Sequence, residues 1–335
     1  MRTLVAGGAG FVGSHLVDLL VARGDQVVVL DNLLTGRRTN LRHHPPDRVA
    51  FVRSDAESAP DGRYDRIYHL ASPASPEAYG RHQVATLMAN SAGTKRLLDL
   101  AERCDARFLL ASTSEVYGDP LTHPQAETYW GNVDPIGPRS MYDEAKRFAE
   151  ALVVAYVRER GTDARIVRIF NSYGPRMEPN DGRMPSAFIA AAIRRQPLLV
   201  HGDGTQTRSL CYVTDTVAGI VAAMERGRPG EAYNVGRADE IPVRDFARLV
   251  VREVGTDAPI AFVAGRPQDI QRRCPDPAKS EAELGWRPNT ALDIGLRSTI
   301  AWYRELLTPS TSVEQTIPAI PAVPAAVRDQ DKARL

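Results

Sequence analysis

The opening of the chain constrains the fold more than any other stretch. Arg2-Thr3-Leu4-Val5-Ala6 is a short apolar run that flows into Gly7-Gly8-Ala9-Gly10-Phe11-Val12-Gly13. Such a run reads as a buried parallel strand. A helical pattern follows, with Leu16, Leu19, Leu20 and Ala22 recurring and Ser14, Asp18 and Arg23 between them. Gly24-Asp25 ends it, and Gln26-Val27-Val28-Val29-Leu30 forms a second apolar strand that stops at Asp31. This is a strand–helix–strand unit with glycines 7, 10 and 13 at its first turn. Glycines there let the backbone approach a pyrophosphate, and the helix N-terminus favours an anion. Asp31, at the end of the second strand, is placed to accept hydrogen bonds from a ribose diol, and its charge would repel a 2′-phosphate. The reading is therefore NAD rather than NADP. Arg37 and Arg38 lie close enough to accept such a phosphate, but are read as part of a solvated loop.

The strand–helix rhythm continues through the first half. Further strands are expected at Val49–Val52, Arg66–Ala71, Arg107–Ala111 and Arg165–Phe170, with helices near 83–103 and 141–160. This alternation predicts an α/β fold with a doubly wound parallel (Rossmann) sheet whose ligands bind at the carboxyl ends of the strands. After Gly174-Pro175 the rhythm weakens. Residues 175–210 read as loop-rich with one helix near 185–195. A helix from Asp215 to Glu225, a strand at Ala232–Val235, a helix near 242–254 and Pro-interrupted segments to about 307 complete the pattern. The expected division is a dinucleotide domain over 1–173 with returning segments near 211–236, and a smaller α/β substrate-binding domain over 174–307. From Thr308 the composition turns to Pro, Ala, Thr and Ser, so 308–335 is expected to be a disordered tail.

A second group of residues carries chemistry. Tyr142 and Lys146 are four apart on an expected helix and share a face. A phenol is a poor base, with an ordinary pKa of ~10. A nearby ammonium and a positive nicotinamide would favour phenolate, and Tyr142 could then take a proton from a sugar hydroxyl as hydride leaves. Lys146 would also hold the nicotinamide ribose. Thr113, with Ser112 as the weaker alternative, follows a strand and could hydrogen-bond the same hydroxyl. Glu115 comes two residues later. Hydride transfer alone has no use for it, so a general acid or base role is assigned.

Composition excludes much else. The 335 residues are 43% hydrophobic, with a formal net charge of +1, so nothing points to a nucleic acid or another polyanion. No apolar run approaches the ~18 residues needed to cross a membrane, and the N-terminus enters a strand at once, leaving no room for a signal peptide. Cys104, Cys211 and Cys274 are widely spaced, with no metal-ligand grouping. The expectation is a cytoplasmic protein with reduced thiols and no metal.

At these residues the chain resembles the extended short-chain dehydrogenase/reductases that act on nucleotide sugars. The resemblance covers about residues 1–307 and is carried by long strings. They are His69–Pro76, Ser112–Pro120, His123–Gln125, Tyr129–Val133, Pro135–Arg139, Tyr142–Arg147, Ile169–Asn171, Tyr173–Met177 and Asn180–Arg183. Within the family the chain is most similar to the group that decarboxylates UDP-glucuronate. The 4,6-dehydratases of the family carry an Asp where Ser114 stands, and simple 4-epimerases lack an acid at the Glu115 position.

The resemblance implies oxidation at carbon 4, loss of carbon dioxide and re-reduction, with Thr113, Ser114, Glu115, Tyr142 and Lys146 as catalytic residues. Glu115 would handle the proton at carbon 5, directly or through water, and Ser114 would orient the carboxylate or that water. The implied cofactor set is Gly7, Gly10, Phe11, Val12, Gly13, Asp31, Asn32, Asp55, Leu70, Tyr142, Lys146 and Arg176, with Asp55 toward adenine. The implied substrate set is Ser114, Glu115, Tyr142, Asn171, Arg183, Arg208 and Arg273, with Asn171 toward the diphosphate. A homodimer through the helices near 83–103 and 141–160 is also implied. One departure stands out: Ala85 occupies the place of a lysine usual in the family. A 4-epimerase, a decarboxylase that releases the 4-keto pentose, and a non-catalytic nucleotide-sugar-binding protein are the alternatives.

Overall fold

The computed structural model describes residues 1–265 and 271–307. The expected tail at 308–335 lies outside the described residues. Among the described residues, seven strands build one parallel sheet. The first half contributes β1 (Arg2–Ala6), α1 (Phe11–Ala22), β2 (Gln26–Leu30), β3 (Val49–Val52) and β4 (Arg66–His69). Next come α2 (Pro76–Arg81), α3 (Gln83–Asn90), α4 (Ala92–Cys104), β5 (Arg107–Thr113), α5 (Ser140–Arg160) and β6 (Ala164–Ile169). The later strand β11 (Ala232–Val235) returns to pair with β6, and the sheet order is β11-β6-β5-β4-β1-β2-β3. The order reverses direction between β1 and β4, which in doubly wound sheets opens a crevice for a ligand.

The strands are apolar on both sides because both sides are covered. Val5, Val29, Leu109 and Val167 point into one core, with Leu16 and Leu20 of α1. Leu4, Leu30, Leu110 and Ile166 point into the other, with Leu97 and Leu98 of α4 and Val153 of α5. This is the two-residue alternation of a strand read twice over.

The second half departs from expectation over residues 175–210, expected to be loop-rich with one helix near 185–195. It holds β7 (Ser172–Tyr173), α6 (Met184–Ile193), β8 (Leu198–His201), β9 (Thr207–Ser209) and β10 (Cys211–Tyr212). It continues with α7 (Val213–Arg226), β12 (Glu240–Pro242), α8 (Val243–Val254), β13 (Ile260–Val263), α9 (Ala278–Leu284) and α10 (Leu292–Leu307). Here β7 pairs with β10, β9 with β12 and β8 with β13. These strands are two to four residues long, too short to show a period. The 16-residue α10 was hidden by the prolines before it, although Leu296, Ile300 and Tyr303 are buried along one face. A third apolar cluster forms there, from Phe188, Val200, Phe246, Val250, Leu296 and Tyr303. The expected helix at 83–103 is two helices, since Ser91 leaves helical geometry between α3 and α4.

Candidate active site

A cavity of about 710 Å³ lies at the carboxyl ends of β1, β2, β4, β5 and β6, and every site residue expected from the sequence lines it. At one end the glycine turn explains itself sterically. A Cβ on Gly13 would lie 2.1 Å from the Gly7 carbonyl oxygen, and one on Gly7 (φ +82°) would lie 2.6 Å from the Leu70 carbonyl carbon. Gly10 caps α1 with extended backbone, so Phe11 and Val12 present the first free N–H groups of the helix at the cavity.

Asp31 directly follows β2 and is held in place by Ala9 N–H (3.0 Å) and Leu33 N–H (2.8 Å). Burial raises its carboxyl above the ordinary value, and these two N–H donors oppose the rise. Asn32 donates to Asp55 at 2.7 Å. Arg176, in left-handed conformation (φ +66°), spends one terminal nitrogen on Asp18 at 2.8 Å and keeps the other buried without a partner. Arg37 pairs with Glu178, and Arg38 lies 5.1 Å from the Phe51 ring centroid. A side-chain-free cradle, a helix N-terminus, an acid beyond the second strand and an orphaned guanidinium nitrogen together fit NAD.

At the other end Thr113 is the last residue of β5 rather than lying beyond it. Its hydroxyl accepts from Glu115 N–H at 3.3 Å and hydrogen-bonds the Tyr142 phenol. Ser112 is committed elsewhere, donating to the buried Glu150 at 2.6 Å. Lys146 donates to the Ala111 carbonyl at 2.8 Å, and its ammonium is 5.9 Å from the Tyr142 ring centroid. Burial pushes the Tyr142 phenol up, against the Thr113 hydrogen bond, and pushes Lys146 down to about 7. Phenolate is expected from the Lys146 ammonium and a positive nicotinamide together, and Lys146 is the part that the protein itself supplies. Burial outweighs it, and the protein's own charges leave Tyr142 neutral.

Glu115 sits in the short helical turn Ser114–Tyr117 that follows β5. One of its oxygens accepts from Arg273 at 2.5 Å and the other pairs with Arg139. Burial would raise this carboxyl, but the charges of Arg273 and Arg139 outweigh it and hold it at about 2. It is an anion at neutral pH, which corrects any picture of Glu115 as a ready proton donor. Asn171 lines the same cavity with a buried amide nitrogen that has no partner, a donor suited to an anionic ligand. Arg183 donates from two guanidinium nitrogens to a single Asp181 oxygen at 2.8 and 2.5 Å, and Arg208 donates to the Thr207 carbonyl at 2.8 Å.

Sequence reasoning passed over three residues here. Arg139, Tyr79 and Asp143 surround Glu115 and Tyr142: the Tyr79 ring stacks on Tyr142 at 4.9 Å and 10°, and Asp143 lies 3.9 Å from Arg139. The one available signal was that Arg139 immediately precedes the helix bearing Tyr142. Its partner Glu115 is distant in sequence, so no local spacing links them.

Sheet order, glycine turn and the Thr113–Tyr142–Lys146 arrangement define a dinucleotide-binding α/β enzyme. The model of the NAD dependent epimerase/dehydratase family matches residues 3–236, and the chain belongs to that family. It is 49% identical over 305 residues to UDP-glucuronic acid decarboxylase 1 of Arabidopsis thaliana, covering 91% of this chain and 70% of that one. It is 47% identical over 307 residues to UDP-glucuronic acid decarboxylase 1 of Xenopus tropicalis, covering 91% and 73%. Among solved structures it resembles dTDP-glucose 4,6-dehydratase from Streptomyces venezuelae with NAD and TYD bound. That match has a TM-score of 0.83 and 33% identity, over 91% of this chain and 97% of that one.

Proposed function

We propose that this enzyme converts UDP-glucuronate to UDP-xylose by oxidation at carbon 4, loss of carbon dioxide and re-reduction. The observation that carries the reading is one cavity holding both Tyr142 with Lys146 and the Ser114-Glu115 turn clamped by two arginines. The similarity to decarboxylases of plants and vertebrates supports it.

Gly7, Gly10, Phe11, Val12, Gly13, Asp31, Asn32, Asp55, Leu70 and Arg176 would hold NAD, with Tyr142 and Lys146 at its reactive end. Bound NAD supplies a reversible hydride acceptor for carbon 4 and, when oxidised, a positive charge that favours the Tyr142 phenolate. Tyr142 takes the proton of the 4-hydroxyl, and Thr113 holds the phenol in line. A ketone at carbon 4 is beta to the carboxylate on carbon 5, so the electrons of the breaking bond settle on the carbonyl oxygen as an enolate. Tyr142, now protonated, donates a hydrogen bond to that oxygen. Carbon 5 then needs a proton. The low pKa of Glu115 supports delivery through a water that the carboxylate orients, with Ser114 beside it. Arg273 and Arg139 supply the positive charge for the sugar carboxylate, while Asn171, Arg183 and Arg208 face the diphosphate.

The reading includes a division near residue 173, supported by the separate apolar cluster of α6, α8 and α10. It also includes a homodimer, supported by exposed Leu87 on α3 and Phe148 on the neighbouring α5, neither of which lines the cavity. A cytoplasmic location accords with the free thiols of Cys104, Cys211 and Cys274.

Incubation with UDP-glucuronate and no added NADH should release carbon dioxide and yield a UDP-pentose identified by mass and NMR. UDP-galacturonate as sole product would replace the reading with 4-epimerisation. An accumulating 4-keto pentose would mean that the return of hydride fails.

A further inference from the structure

The sugar end of the cavity is a cluster whose total charge depends on one residue outside it. Arg139 and Arg273 are cations, and Glu115 between them is an anion. Asp143 lies behind this set, 7% exposed, with one oxygen 3.9 Å from Arg139 Nε and the other buried without a partner. The unpartnered Nε of Arg139 is itself buried. The groups that face Asp143 come from every element around it. They are Glu115 from the turn after β5, Arg139 and Glu144 flanking it in sequence, and Arg273 from the segment before α9. Tyr79 of α2 and Tyr142 of α5 complete the ring of neighbours. Burial pushes both phenols up, and without a positive nicotinamide beside Tyr142 they stay neutral. Glu144 is offset by Arg147 at 3.6 Å.

We infer that Asp143, acting through Arg139 and Glu115, is a specificity-determining residue that sets whether the sugar site carries a net positive charge. As a neutral acid it leaves two arginines against one carboxylate, and the surplus charge matches one carboxylate on the sugar. As an anion it cancels that surplus, and the site then favours an uncharged sugar. This inference rests on the decarboxylase reading, because it presumes an anionic sugar. Burial, followed by the charge of Glu115, raises the Asp143 carboxyl to about 7, so the exchange falls within the physiological range. It also gives the Glu115 clamp a second purpose. Glu115 keeps the arginines apart and oriented, and its charge adds to burial in keeping a proton on Asp143.

The test is equilibrium binding to the NADH-loaded enzyme, which has no acceptor for the carbon 4 hydride and does not turn the sugar over, across pH 6 to 8.5, comparing UDP-glucuronate with UDP-glucose. The two share the diphosphate and differ in the carboxylate, so titration of the phosphates cancels in the ratio of their dissociation constants, while Lys146, lowered to about 7, is separated from Asp143 by the variant. The preference for UDP-glucuronate should fall roughly tenfold as pH rises through the Asp143 transition. In Asp143→Asn, an isosteric neutral side chain, the preference should stay high and flat. A flat ratio in the unaltered enzyme would overturn the inference, and so would a pH-dependent ratio that survives in Asp143→Asn. A flat ratio overturns the inference even if Asp143→Asn fails to fold, and Asp143→Ser, equally uncharged, then takes the place of that variant. A different failure, no preference for UDP-glucuronate at any pH, would instead remove the substrate reading, and this inference with it.

Discussion

The base of the proposed reaction, Tyr142, is neutral by its surroundings, because a buried phenol with one threonine partner gains nothing from losing its proton. Its work as a base depends on charge brought to it. Tyr142→Phe should therefore leave NAD binding intact and lower kcat by roughly 10²–10⁴-fold, the range for a lost general acid–base group. Single-turnover measurement of carbon 4 oxidation checks this; an unchanged rate would end the assignment. Asp143 makes a separate statement about stability. Its carboxyl binds a proton more tightly folded than unfolded, so its contribution is full below the ordinary value of 3.8 and is lost as pH rises to about 7. A shift of that size corresponds to about 4 kcal/mol above the transition. Asp143→Asn should thus gain stability over the unaltered protein as pH rises from 4 to 7, with no further gain beyond. Denaturant midpoints at pH 4.5 and pH 8 read this directly, and a constant difference would count against it. Tyr142 and Lys146 were legible because a helix turns their spacing into proximity. The Glu115–Arg139 and Glu115–Arg273 pairs were not, because the fold alone brings their elements together.

Elements differ in how plainly they announce themselves. The strand-turn-helix of β1 and α1 was readable because glycine spacing and apolar alternation answer to one constraint, close backbone approach beneath two cores. The paired short strands β8, β9, β12 and β13 were not readable, since strands this short define no period and their partners are remote. Helix α10 escaped for the opposite reason: its period is clear, but nearby prolines suggested interruption. The glycine turn makes a graded prediction. Gly13→Ala forces a carbon to 2.1 Å from the Gly7 oxygen, whereas Gly10→Ala brings one only to 3.2 Å. NAD affinity by calorimetry should fall at least ~10-fold for Gly13→Ala, since the backbone of the phosphate cradle must move, and clearly less for Gly10→Ala. Equal losses would show that the cradle does not depend on this contact.

At the scale of the whole molecule, the proposed homodimer would cover the exposed Leu87 of α3 and Phe148 of α5. Leu87→Arg combined with Phe148→Asp should convert a dimer to a monomer in sedimentation experiments; a monomeric unaltered protein would remove the homodimer from the reading. Within one chain the decisive feature is the position of β11 at the end of the sheet. Its residues are joined to β6 in register, Ala232 to Ile166 and Val235 to Ile169, yet they emerge only after α6 and α7. A fragment ending near Tyr173 would therefore present β6 as a bare edge, open to pairing with another molecule. On a ribosome, the nucleotide-binding half cannot finish its sheet until much of the remainder has left the tunnel. The chain should fold slowly, all at once and late, and a nonsense mutation or proteolytic nick between β6 and β11 should yield aggregates rather than a smaller working protein.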